Sequence, residues 1–228
     1  GTKQLEMMFT LFNAEAGMIE FDDVKLTAID PAPVVAAREA AAAKKAEDQA
    51  TRAAKVKPQV PVPSADQLPK ELKVVGNKIV NSDGKEVWLQ GVSLASMEWT
   101  AGGEKILQST AVAIDDWKAN VLRQPVREHF YFGTGPYQAD GGAAYRQLLD
   151  DSINLAASKG AYVVIDLHRY RAPGQETVDF WKAVAEKYKN HPAVIFELLN
   201  EPHDVSWDVW KNGGPVSDQK KVAEAKKK

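Results

Sequence analysis

The chain has no cysteine, so no disulfide can brace it and redox usage says nothing about its compartment. No uninterrupted apolar run approaches the roughly 20 residues a membrane-spanning helix needs. The first residues, Gly1-Thr2-Lys3, lack the charged and apolar regions of a secretion signal and read as if cut from something longer. There is no basic surplus: 29 Lys and Arg stand against 31 Asp and Glu, for a net charge of −2. That balance argues against nucleic acid or an anionic membrane as partner. No His or Cys cluster has metal-ligand spacing and no glycine-rich phosphate loop is present, so no cofactor is expected.

What is there suffices for a core: 44% of 228 residues are hydrophobic, enough for one large or two small domains. Phe9–Phe12 and Met18–Leu26 read as short strands. From Pro31 to Pro69 the composition shifts. Ala36 to Lys57 mixes alanine with both charge signs and lacks a wide apolar stripe, which predicts an exposed helix. The alternative is that this helix packs on a neighbouring surface through Val34, Val35 and its alanines. Lys57 to Pro63, with three prolines, favours an extended spacer. The expected division is 1–30, 31–69 and 70–228.

Beyond Leu72 the pattern becomes regular. Val74 to Leu89 reads as a hairpin turning at Asn81-Ser82-Asp83-Gly84. A strand is predicted over Val87–Leu94, a helix around Ile106, Leu107, Ile114 and Trp117, and a strand over Ala119–Val126. Then follow a helix carrying Tyr145, Leu149 and Ile153 that Lys159-Gly160 stops, a strand over Ala161–His168, and a helix from Gln175 to Lys189. The last strand is Ala193–Leu199, apolar enough to be covered on both faces. Strand ends recur at intervals of roughly 30 to 45 residues, which fits successive parallel βα units. Trp88, Trp117 and Trp181 lie in predicted regular elements and are expected in the core. A lysine-rich helical tail ends the chain.

The last strand runs into Asn200-Glu201-Pro202-His203. An amide and a carboxylate at the C-terminal lip of a buried parallel strand sit where barrel enzymes carry their chemistry. Pro202 cannot donate a ladder hydrogen bond, so it ends the strand. Strand parity puts Glu197 on the side of Glu201 but about 13 Å below it, beyond nucleophile range, where it suits an interior ion pair with an arginine such as Arg123. Asp166 shares parity with His168 one layer below the lip. Exposed faces on Trp99, Trp207 and Trp210 would suit stacking against sugar rings.

Asn-Glu-Pro after such a strand resembles the acid/base motif of retaining β-glycoside hydrolases, in particular glycoside hydrolase family 5, the cellulase and mannanase family. The resemblance implies a (β/α)8 barrel closed at its bottom by the hairpin, of which about four βα units are present here. It implies Glu201 as acid/base, with a proton affinity raised by an apolar cleft and a second carboxylate. Arg123 steadies the nucleophile, although Gln124 stands where an apolar residue is usual. His168 and Asn200 bind sugar, Asn200 through the 2-hydroxyl, and His203 supports them from behind. The family's nucleophile comes from a seventh strand, which four units do not reach. Phe21-Asp22-Asp23-Val24-Lys25-Leu26 is similar to the closing strand of a jelly-roll carbohydrate-binding module; a plain strand-forming leader is the other reading. The implied partner is a β-linked glucan or mannan, and the implied location is extracellular. Three outcomes are therefore expected to compete: an endo-acting β-1,4-glycan hydrolase whose half-barrel does not turn over alone, a sugar-binding half-site, and a four-stranded sheet whose open edges drive self-association.

Overall fold

A computed structural model describes residues 30–170 and 172–213. The proposed binding-module strand and the lysine-rich tail lie outside the described residues. The first element, α1 (Pro31–Ala53), opens with the amide of Ala32 donating to Oδ1 of Asp30 at 3.0 Å, and it buries no residue. Val34 and Val35 are exposed, so the exposed-helix reading holds over packing through those two residues.

The described residues from Lys44 to Gly213 belong to one compact unit. Its hairpin is β1 (Leu72–Val75) and β2 (Lys78–Asn81), antiparallel with Val75 opposite Lys78. The two-residue loop is thus Gly76-Asn77, with Gly76 at φ 61°, the left-handed first position that such a tight loop requires. The predicted turn at Asn81–Gly84 exists as well. It folds a third short arm back, pairing Glu86 with Val80. The prediction had the chemistry of that turn right and missed the earlier one, because Gly-Asn is as good a hairpin loop as the longer polar stretch.

The main sheet has four parallel strands in chain order: β3 (Gly91–Ser93), β4 (Val121–Val126), β5 (Tyr162–Leu167) and β6 (Val194–Glu197). Between them run α2 (Ile106–Asp115), the short α3 (Glu128–Tyr131), α4 (Ala143–Ser158) and α5 (Gln175–Tyr188), and α6 (Trp207–Asn212) follows β6. This is the α/β succession of a partial (β/α)8 barrel. The short helices α3 and α6 were not foreseen. Each carries too few residues for periodicity to show.

Helical spacing explains the packing. Tyr145, Leu149, Ile153 and Ala156 line one face of α4; Phe180, Val184 and Tyr188 line one face of α5. They meet Leu122, Val126, Val163, Ile165 and Leu167, the alternate residues of β4 and β5, in one core. Each large side chain so buried contributes about 1.5–3 kcal/mol. Gly160, at φ 75°, ends α4 as expected. Gly91 has another reason to be glycine, since a Cβ there would lie 1.6 Å from the carbonyl oxygen of Val121 in the neighbouring strand.

Four expectations need correction. The first barrel strand is only Gly91–Ser93, not Val87–Leu94. Trp88 and Trp117 are 76% and 68% exposed: the former precedes the shortened strand and the latter follows the end of α2, so neither sits on a core-facing position. The last strand stops at Glu197 and none of its four residues is fully buried, because among the described residues β6 is the edge of the sheet. The proline-rich stretch is not a free spacer. The amides of Gln59 and Val60 donate to the fully buried Asp151 carboxylate of α4 at 3.0 and 3.4 Å, and the Tyr162 hydroxyl donates to the Lys70 carbonyl at 2.6 Å. Trp181, by contrast, packs on the core as expected.

Candidate active site

Parallel register decides which side chains meet. Arg123 lies opposite Val164, and Asp166, two residues further along β5, lies opposite Glu197. Side chains alternate along a strand, so Arg123, Asp166 and Glu197 share the face turned away from the helices. The Arg123 guanidinium grips Glu197 with two bonds, Nε to Oε2 at 2.7 Å and Nη2 to Oε1 at 2.6 Å. Nη2 also lies 2.9 Å from Asp166 Oδ2 and donates to Asn200 Oδ1 at 2.9 Å. The Arg123–Glu197 pair expected from parity is therefore present, and one planar fork gathers three strands.

The charges respond to this enclosure. The hydrogen bond to Glu197 holds the Arg123 guanidinium above its ordinary proton affinity against the effect of burial, and the charges of Asp166, Glu197 and Glu201 add to it. Glu201 thus acts electrostatically on the cluster. Asp166 is wholly buried, and burial pushes its pKa up while the hydrogen bond to His168 and the charge of Arg123 pull it down. Its Oδ2 lies 2.7 Å from His168 Nδ1.

At the exits of the strands the chain turns polar. The amide of Asn200 donates to the Leu167 carbonyl at 3.3 Å, which carries the β5–β6 pairing past the strand end and buries the side chain. Because Arg123 offers only donors, the Asn200 amide must turn its oxygen there. That leaves its Nδ2 buried without a partner. Glu201 follows at φ 36°, a left-handed conformation costly for a residue with a Cβ, and its side chain is exposed. Among the described residues no apolar cleft encloses it. Among the described residues no strand pairs with β6 on its far side.

The remaining predicted residues divide. His203 is exposed on the loop after Pro202, with Nδ1 2.9 Å from Asp204 Oδ2 and its ring 6.4 Å from that of Tyr170. Trp99, on the loop after β3, is exposed and donates from Nε1 to Glu104 at 3.3 Å. Trp207 and Trp210 stand exposed on α6. The tryptophans have free faces, as stacking would need, but their contacts do not join them to the Arg123 cluster. Gln124 faces the helix layer, accepting from the Ser152 hydroxyl at 2.6 Å and approaching the Met97 sulfur at 2.7 Å, which explains a polar residue where an apolar one is usual.

Sequence reading stopped at His168 and missed its neighbours. Arg169 pairs with Glu128 at 2.7 Å and with Glu176, tying the loop after β5 to α3 and α5. Tyr170 sits with its hydroxyl 3.1 Å from His168 Nε2, and the Arg127 guanidinium lies 5.8 Å from its ring centre. Their position just past a strand exit was the available signal. Among the described residues no group of three or more His, Cys, Asp or Glu is arranged to hold a metal. No described helix is long and apolar enough to cross a membrane.

Parallel βα units, with a carboxylate, amide, histidine and arginine meeting near the strand exits, define a barrel-type α/β domain. Residues 80–227 match the cellulase family, glycosyl hydrolase family 5, and the chain belongs to that family. It is 30% identical over 145 residues to endoglucanase MaCel5A of Microbulbifer sp. (strain ALW1), covering 60% of this chain and 27% of that protein. It is likewise 30% identical over 150 residues to endoglucanase A of Butyrivibrio fibrisolvens, covering 60% of this chain and 33% of that protein. Among solved structures it is similar to the cellulase Cel5C_n, with a TM-score of 0.51 and 26% identity over 71% of this chain and 53% of that one. The chain therefore spans about half of that structure and a smaller part of those two relatives.

Proposed function

We propose that the domain cleaves β-1,4-glucan with retention of configuration, Glu201 acting as acid/base, and that this polypeptide holds the proton-donating and sugar-binding side of the site. The observation that supports it is the ring of contacts Glu197–Arg123–Asp166–His168 with Asn200, set at the exits of adjacent strands directly before Glu201. In this reading Asn200 offers its unpartnered amide to the sugar 2-hydroxyl, His168 contacts the same ring, and His203 braces the loop. Arg123 steadies the carboxylates, and Trp99, Trp207 and Trp210 supply stacking faces. The relatives above are named as endoglucanases or cellulases, which favours glucan over mannan. A polymeric substrate outside the cell goes with a secreted protein.

Asp166 and Glu197 both pair with Arg123, and this reading assigns neither of them as nucleophile. The polypeptide by itself is therefore expected to bind and not to turn over. Titration with cellotetraose and mannotetraose, followed by tryptophan fluorescence, tests this. The expected result is a saturable change with the glucan, at least tenfold weaker in Asn200→Ala, with no reducing sugar released on long incubation. No response up to millimolar cellotetraose removes the binding reading. Turnover that vanishes in Glu201→Gln points instead to a nucleophile within this chain.

A further inference from the structure

His168 is held on both of its ring nitrogens. Asp166 is fully buried, and its Oδ2 lies 2.9 Å from Arg123 Nη2 and 2.7 Å from His168 Nδ1. A carboxylate paired with arginine is an acceptor, so Nδ1 of His168 is the nitrogen that donates to it. In that tautomer Nε2 is the acceptor nitrogen. That acceptor is already occupied: the Tyr170 hydroxyl lies 3.1 Å from it, and the two rings meet edge to face with centroids 5.4 Å apart. Tyr170 is 40% exposed and is flanked by the Arg127 guanidinium at 5.8 Å and the His203 ring at 6.4 Å. Tyr170 therefore lies against Nε2 with its own ring partly exposed.

We infer that Tyr170 is a latch on the sugar subsite: its hydroxyl occupies His168 Nε2 in the unliganded protein, and a sugar hydroxyl reaches that nitrogen only by displacing it. The inference rests on His168 contacting sugar. The chemistry is an exchange of one O–H donor for another at a single acceptor, with no bond made or broken. The ligand must bring a hydroxyl able to donate at that point, and its affinity is reduced by the hydrogen bond it has to replace. One such bond is worth a factor of roughly two to ten in affinity. The latch also keeps the imidazole in the orientation that Asp166 sets, so Tyr170 is a positioning residue as well as a competitor.

The test uses the 228-residue chain and its Tyr170→Phe variant, which keeps the ring and removes only the hydroxyl. The two ring nitrogens of His168 are observed by 15N NMR, and cellotetraose affinity is measured in parallel. In the variant the Nε2 resonance is expected to move toward that of a lone pair without a donor while Nδ1 stays in place, and cellotetraose is expected to bind roughly two- to tenfold more tightly. An unchanged Nε2 resonance overturns the latch. A shifted resonance with weaker binding overturns it too, because Tyr170 then touches the sugar directly. His168→Ala separates the two levels. If that variant binds cellotetraose as the parent does, the sugar-contact reading of His168 falls and the inference with it, whereas loss of binding in His168→Ala with no effect of Tyr170→Phe on resonance or affinity overturns the latch alone.

Discussion

Arg123 is the residue on which the polar interior depends. It lies within 2.9 Å of acceptors on Asp166, Glu197 and Asn200, so its loss strands two carboxylates on adjacent strands. Breaking such a pair from one side costs about 3 kcal/mol, because the remaining charge stays desolvated. Arg123→Met is therefore expected to lose about 2–3 kcal/mol of unfolding free energy at pH 7, the partial exposure of the arginine trimming the figure. The deficit should shrink in acid. Burial raises the Asp166 pKa, and without Arg123 to oppose it the folded variant binds that proton more tightly than the unfolded chain, so protonation relieves the stranded charge. Urea unfolding of parent and variant at pH 7 and pH 4.5 measures both parts. A deficit equal at the two pH values would mean that Arg123 contributes by packing and not by charge.

At the scale of elements, the docking of the proline-rich stretch depends on one side chain. Asp151 is buried in α4 and accepts from the amides of Gln59 and Val60 and from Gln147 Nε2 at 3.0 Å. A stretch rich in proline forms no ladder of its own, so its few amides need an external acceptor. Asp151→Ala should release it. The amides of Gln59 and Val60 are expected to exchange at least tenfold faster, and protease is expected to cut first around residues 55–65, while the sheet amides of β4 and β5 keep their protection. Equal acceleration in the stretch and the sheet would show instead that Asp151 supports the whole fold.

For the whole molecule, two tyrosines set an alkaline limit. Burial pushes the phenols of Tyr145 and Tyr188 well above their ordinary value, Tyr188 also through the Asp150 carboxylate that accepts its proton at 2.6 Å. A group that holds its proton more tightly folded than unfolded contributes stability that is intact below the unfolded pKa, near 10 for tyrosine. That stability is lost as pH rises beyond it. The fold is expected to lose about 1.4 kcal/mol per pH unit for each such tyrosine above pH 10, and Tyr188→Phe should have the shallower slope. Thermal unfolding between pH 9 and pH 11.5 compares them. Parallel curves would mean that Tyr188 ionises as easily in the folded state as in the unfolded one.

Much of this was legible in the chain of letters. The four parallel strands, the three long helices and the residues that close α4 follow from spacing, because alternation and helical recurrence are local properties written in adjacent residues. Strand parity set Glu197 on the side of Glu201 and Asp166 on the side of His168, and the burial expected of Glu197 suggested an arginine partner such as Arg123. What had to come from the tertiary structure was everything set by position in the sheet. Trp88 and Trp117 look like core residues until the short β3 and the end of α2 leave them outside. The last strand reads as doubly covered, whereas among the described residues it is an edge, and Glu201 beyond it is exposed. The clasp of Asp151 on Gln59, 92 residues apart, and the Tyr170 hydroxyl on His168 depend on where separate segments meet, and no local periodicity carries that information. Sequence alone therefore determined which residues face one another along each element. The tertiary structure decided which of those faces is covered, because coverage depends on neighbours that the chain brings from far away.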